Sequence, residues 1–325
     1  MSLYIKKLQE MTRDDFQEAG GKAANLGELV RHGFRVPPAF CITARSLEYV
    51  FAYNGIAPKV LRIASGFNYD DYDGMEAKTA QIRDLIVACS IPADLQAEIR
   101  QGIQDLRDAS GEEPFVAVRS SVAVRDSSIS SFPGMMDTYH FLKGEVQIVE
   151  YVRKCWASLW TSRAAVRRHQ LQIDHSKGII APLVQRMVNS DVAGVMFTAN
   201  PLTGSREEIV IEANWGLGES LVSGESINDY FVLSKEASPE VKEKRIQKKN
   251  IMVTLDKEAG AGRRKYEIPE ALSTAATLRD DQLGELGVLG LAIEDVFHYP
   301  QDIEWAYEKD VLYVLQSRKI KGLKD

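Results

Sequence analysis

The stretch from Pro300 to Arg318 constrains this chain most. It reads Pro300-Gln301-Asp302-Ile303-Glu304-Trp305-Ala306-Tyr307, then Glu308-Lys309-Asp310, then Val311-Leu312-Tyr313-Val314-Leu315-Gln316-Ser317-Arg318. Two runs rich in β-branched and aromatic residues around a polar tri-residue predict a β-hairpin. With Tyr307 opposite Val311, Asp302 falls opposite Gln316, and the alternation of side chains along each strand fixes the faces. Ile303, Trp305, Tyr307, Val311, Tyr313 and Leu315 then form an apolar face. The other face carries Ala306, Leu312 and Val314 near the turn, and Asp302, Glu304, Gln316 and Arg318 at the open end. Two carboxylates and an amide oxygen suit Mg²⁺, which needs few protein groups when phosphates complete its shell. A guanidinium suits phosphate oxygens. Taken alone, the same four residues equally describe a solvated sheet face with an ordinary ion pair.

At 325 residues, the chain is long enough for two domains or one divided domain. The net charge of −6, with acidic and basic residues interspersed, argues against nucleic acid as the main partner. Cys41, Cys89 and Cys155 are far apart and lack CxxC spacing. They imply neither a disulfide framework nor a zinc site, and fit a reducing compartment. The N-terminus has no apolar run after Lys6 and Lys7, and no run of 18 apolar residues exists, so a cytoplasmic location without a membrane span is expected.

Along the chain, Gly20-Gly21-Lys22-Ala23-Ala24-Asn25-Leu26-Gly27-Glu28-Leu29-Val30 reads as a glycine pair opening a helix, with Lys22 in its first turn. A lysine there can meet a phosphate or simply be solvated; the pattern is not a Walker A loop. Phe115 to Val118 is expected to be a buried strand ending in Arg119-Ser120-Ser121. A long loop from Val122 follows, through Phe132-Pro133-Gly134-Met135-Met136-Asp137-Thr138. Serines around a glycine can cradle phosphate, and the apolar residues in that loop suggest a lid. Trp156 and Trp160, at i and i+4, are expected in the core. Residues 179–188 form a strand in which Pro182 suggests an edge or a bulge. Three further strands cover residues 191–198, 209–213 and 229–233. Residues 241–268 read as a charged hairpin open to water, and residues 280–298 as an amphipathic helix preceding the opening hairpin.

Five stretches occur together in order: Gly20 to Leu26, Val116-Ala117-Val118-Arg119-Ser120-Ser121, Gly194-Val195-Met196-Phe197-Thr198, Trp215-Gly216-Leu217-Gly218-Glu219, and Gln301 to Trp305 with Leu315-Gln316-Ser317-Arg318. In this arrangement the chain resembles the N-terminal ATP-binding domain of phosphoenolpyruvate synthase, pyruvate phosphate dikinase and rifampin phosphotransferase. The resemblance implies an α+β, ATP-grasp fold: two α+β lobes, here 1–188 and 189–325, with ATP between them. It implies ATP binding by Lys22, Arg119, Gly134, Thr138, Gln185, Met187, Glu304, Gln316 and Arg318. Mg²⁺ would be held at Asp302, Glu304 and Gln316, and Lys22, Arg119 and Arg318 would act in catalysis. Residues 131–138 are similar to the dikinase, residues 197–224 more similar to the synthase and the rifampin enzyme. Arg125-Asp126 stands where many synthases carry an acidic pair.

The same resemblance implies transfer of a phosphoryl or pyrophosphoryl group from ATP to a histidine on a swivelling domain, and from there to an acceptor-substrate domain. None of His32, His140, His169, His175 and His298 lies in the Gly-Gly-x-Thr-x-His setting of that family. The expectation is therefore a fragment, or a stand-alone half working with a separate His-bearing partner. A carboxylate–amine ligase on the same core, and an ATP-sensing module without catalysis, are the alternatives; a sensor has no need of the two-carboxylate patch.

Overall fold

The computed structural model describes residues 4–126, 137–218, 221 and 226–323. The chain forms two compact units. One takes the chain up to Glu28 together with Pro38–Met187; the other takes Leu29–Pro37 and the chain from Val188 onward. Each is an antiparallel sheet with helices, which makes the protein α+β.

The first unit is built on β1 (Ile5–Lys7), β2 (Ala39–Ile42), β3 (Val116–Val124), β4 (Thr138–Leu142) and β5 (Gly178–Arg186), in the order β1-β2-β5-β3-β4. Alternation sorts its two faces. Phe40, Val184 and Val118 lie in register across three strands, and Ile180 lies opposite Val122. With Ile42, Val116, Val124 and Leu142 they form the main core. Against this face pack α2 (Ala44–Tyr53), α3 (Ala57–Ser65), α4 (Tyr72–Val87), α5 (Ala93–Ser110) and α6 (Glu145–Ser158). Trp156 and Trp160 are buried there, as expected. The opposite face mixes small and polar residues (Cys41, Ala117, Arg119, Ser121, Ala123, Ala181 and Gln185) with the buried Leu183 and Ile179.

Two expectations fail in this sheet. β3 does not end at Ser121; it pairs with β5 through Val124 and is buried along its whole length, because both its faces are covered. Pro182 lies neither on an edge strand nor at a bulge. It pairs with Ser120 in the middle of the sheet, but the β2–β5 ladder stops at Leu183, so its missing N–H interrupts nothing.

A polar cluster joins α7 (Ser162–Gln170) to the core. Arg168 is almost wholly buried, lies over the Trp160 ring and donates from Nη1 to the Leu159 carbonyl at 2.6 Å. Its Nε donates to His175 Nδ1 at 3.0 Å. Arginine only donates, so His175 is neutral with its proton on Nε2, which faces the Tyr69 hydroxyl at 2.7 Å. Burial, and then the Arg168 guanidinium, push the imidazole down to about 4. The unfolded chain, with an ordinary histidine, takes up a proton first. This contribution to stability is therefore complete above about pH 6.5 and lost as pH falls towards 4. Discounted for partial exposure, it is about 1–2 kcal/mol. The stability difference between the wild type and His175→Gln, measured by denaturant titration, should narrow by that amount between pH 7 and pH 4. A difference independent of pH would show that the ring is not held neutral.

The second unit carries β6 (Val192–Phe197), β7 (Glu208–Trp215), β8 (Asp229–Ser234), β9 (Val241–Arg245), β12 (Gln301–Glu308) and β13 (Val311–Lys319), ordered β13-β12-β6-β7-β8-β9. β10 (Ile251–Leu255) and β11 (Arg263–Glu267) form a separate hairpin, followed by α8 (Glu270–Ser273) and α9 (Asp280–Phe297). Trp305 packs over β6, where any side chain at Gly194 would collide with its ring at 2.6 Å and with the Glu212 carbonyl at 2.0 Å. Residues 241–268 are thus not one exposed hairpin: β9 completes the sheet, and Lys249 is fully buried against Asp229 at 2.7 Å.

Candidate functional site

In the first unit the site begins with a broken helix. α1 (Phe16–Arg31) is interrupted at Gly20, whose φ of 72° and ψ of 163° lie outside the helical range. The helix restarts at Gly21, so Lys22 stands in a first turn, as the glycine pair predicts. Gly20 lies flat on β3: a Cβ there would come within 2.4 Å of the Ser121 carbonyl carbon and hydroxyl oxygen. The Ala23 N–H donates to Ser121 Oγ at 3.0 Å. Lys22 is half-buried, and its charge opposes the upward push that burial gives the Cys155 thiol.

Two residues before Ser121, on the same face of β3, Arg119 is buried and donates from Nη1 to Gln185 Oε1 at 2.9 Å. Thr138 lies directly opposite Arg119 on β4. Gln185 Nε2 is buried with no partner among the described residues. An orphaned donor beside a buried guanidinium is what a site for an anionic, acceptor-rich ligand would leave. Met187 follows β5, its N–H donating to the Phe115 carbonyl at 2.8 Å. Four residues singled out from sequence (Lys22, Arg119, Thr138 and Gln185) therefore gather around the Arg119 face of the first sheet. Gly134 and the apolar loop around it lie outside the described residues. His140, one of the five histidines outside the family motif, is half-buried on β4.

In the second unit the hairpin forms, but with a different register. Its turn has two residues, Lys309 and Asp310, both left-handed at φ 50° and 62°, which matches the strand twist. Glu308 pairs with Val311 and Trp305 with Val314. On that register alone, Glu304 would face Leu315. A bulge at Leu315 adds one residue, so Glu304 pairs with Gln316 and Asp302 with Arg318. The four polar residues do share a face. Beyond the bulge, Leu312 and Val314 lie on the Trp305 side, and Val311 and Tyr313 on the other, the reverse of the expectation.

Arg318 donates from Nε and Nη2 to Asp302 Oδ2 at 2.8 and 2.7 Å. Burial raises the Asp302 carboxyl above the usual range; Arg318 opposes this and Glu304 adds to it. Two carboxylates that feel each other's charge, with an amide opposite Glu304, form a donor set that fits Mg²⁺. Among the described residues no cluster of three or more His, Cys, Asp or Glu exists, so ligand oxygens would have to complete the shell. The face continues through Val195 to Glu212 and Tyr230. Glu212 was missed in sequence, although it is the one charged residue inside the run from Ile209 to Ala213.

Residues 16–325 match the family model described as pyruvate phosphate dikinase, AMP/ATP-binding domain. The chain belongs to this family of nucleotide-binding, ATP-grasp domains. It is 38% identical to the phosphoenolpyruvate synthase of Pyrococcus furiosus, over 99% of this chain and 44% of that protein. It is 40% identical to a probable phosphoenolpyruvate synthase of Methanocaldococcus jannaschii, over 99% and 27%. To the rifampicin phosphotransferase of Bacillus cereus it is 35% identical, over 99% and 36%. The chain thus spans less than half the length of these curated relatives. No described helix is long and apolar enough to cross a membrane.

Proposed function

We propose that this chain binds Mg–ATP and carries out the ATP half-reaction of a phosphotransferase, passing a phosphoryl or pyrophosphoryl group to a histidine on a swivelling domain. The observation that carries this reading is the bulge at Leu315. It places Gln316 and Arg318 on the face of Asp302 and Glu304, where Asp302 and Gln316 are buried rather than solvated.

Asp302, Glu304 and Gln316 would hold Mg²⁺, which when bound neutralises phosphate charge and orients the transferring group. Asp302 also holds the Arg318 fork, so that it meets phosphate already oriented. In the first unit, Lys22 and Arg119 supply positive charge suited to phosphate, and Thr138 and Gln185 supply further hydrogen bonds. β5, with Gln185 in it and Met187 just after it, would lie beside adenine. Positioning and electrostatics then supply most of the catalysis, and no covalent nucleophile is required of this chain. The relatives named for phosphoenolpyruvate and for rifampicin would share this half-reaction and differ in the acceptor beyond the histidine.

Calorimetry with Mg–ATP, and transfer of label from β-labelled ATP to a family His-bearing domain supplied separately, test the proposal. The wild type should bind and should label that domain. Lys22→Ala should lose about 1.5–3 kcal/mol of binding, roughly tenfold to a hundredfold in affinity, with little change in melting temperature. A wild type that binds no Mg–ATP would refute the reading. Unchanged affinity in Lys22→Ala would return Lys22 to a solvated surface role.

A further inference from the structure

We infer that Ser121 is a positioning residue for Lys22; this rests on the phosphate-binding role proposed for Lys22 above. The first N–H groups of a helix lack intrahelical acceptors. Usually a side chain at the preceding residue supplies one. Here that residue is Gly20, which has no side chain. The acceptor is Ser121 Oγ, 98 residues further along the chain and fully buried, at 3.0 Å from the Ala23 nitrogen.

The absence of a Cβ at Gly20 is what lets the two segments meet, since any Cβ would lie 2.4 Å from Ser121. Lys22 is the residue between Gly21 and Ala23, so its backbone is held to β3 at this point. β3 pairs on both sides, with β4 and β5, and carries Arg119 two residues earlier on the same face. One rigid strand therefore sets both cations: Arg119 directly, and Lys22 through the Ser121 hydroxyl. Without that hydroxyl the Ala23 N–H is buried beside a methyl group, the first turn is released from β3, and Lys22 loses its fixed origin.

The test combines binding with amide exchange on the full chain. Ser121→Ala should weaken Mg–ATP binding about tenfold, yet change it less than twofold in a Lys22→Ala background, because the serine acts through the lysine. In the ligand-free protein, deuterium uptake by residues 20–25 should rise in Ser121→Ala. Equal effects in the two backgrounds, or full affinity in Ser121→Ala, would overturn the inference. So would unchanged uptake over residues 20–25. The uptake measurement needs no ligand, so it tests the inference even if the ATP reading fails. Should Ser121→Ala not fold, the wild type still decides: its Ala23 amide should exchange slowest within residues 20–25, and fast exchange there would overturn the proposal.

Discussion

Glu304→Ala is expected to lower the affinity for Mg–ATP at least a hundredfold while leaving the fold intact. Glu304 is half-buried on β12, between Gln316 on one side and Val195 on the other, and contributes nothing to the apolar face that holds Trp305 and Tyr307. Its loss should therefore cost no more than about 1 kcal/mol of stability. Its electrostatic role is larger. The Asp302 carboxyl is raised partly by the charge on Glu304, and two carboxylates in mutual repulsion are relieved by a divalent cation. Loss of groups that merely support metal ligands costs about 10–100-fold; loss of a ligand itself should exceed that. Calorimetry with ATP in the presence of Mg²⁺ and again in EDTA separates metal from nucleotide. Wild type and variant should differ with Mg²⁺ and agree in EDTA. A variant that binds Mg–ATP like the wild type would remove Glu304 from the metal site.

This pair of strands also shows what a sequence can and cannot convey. Composition was enough to identify a hairpin, because β-branched and aromatic runs around polar residues have few other uses. Its register was not legible. Lys309 and Asp310 are not an Asn-Gly turn signal, yet both adopt left-handed backbone, and nothing in Val311 to Arg318 marks Leu315 as the residue to bulge. The expected three-residue turn and the observed two-residue turn plus bulge have the same parity, so Asp302, Glu304, Gln316 and Arg318 were correctly grouped. Leu312 and Val314, nearer the turn, were assigned to the wrong face for the same reason. Local signals also marked the glycine pair as a helix start, though not the helical turn from Phe16 that precedes it. They could not reveal Ser121, because the partner of that helix start lies on a distant strand. The serines of β3 looked like the end of a strand; tertiary cover on both faces carries the strand on to Val124. Glu212 was passed over because its significance depends on the strands beside it.

Lys249 is the clearest case of tertiary context overriding composition, and it carries the largest expected effect on stability. It sits among Lys242, Lys244, Arg245 and Lys248, in a stretch that reads as solvated. The structure instead buries it completely with Asp229, the first residue of β8. Asp229 Oδ1 accepts from Lys249 Nζ at 2.7 Å and from the Gln247 N–H at 2.9 Å; Oδ2 accepts from the Thr277 N–H at 2.8 Å and hydroxyl at 2.9 Å. Lys249 Nζ also donates to the Gln247 carbonyl at 2.9 Å. A carboxylate with four donors ties three separate segments together. Such a pair adds little relative to a well-packed apolar replacement, but removing one partner leaves a charge stranded in the interior, at about 3–5 kcal/mol. Asp229→Ala is therefore expected to destabilise the protein by that amount in urea denaturation followed by tryptophan fluorescence. The double variant Asp229→Ala with Lys249→Met should recover part of the loss, because no charge is then left unpaired. Measured below its melting point, Asp229→Ala should still bind Mg–ATP, since neither residue belongs to the proposed site. If the single variant lost less than about 1 kcal/mol, or the double variant were less stable than the single, the buried pair would not be holding these segments together.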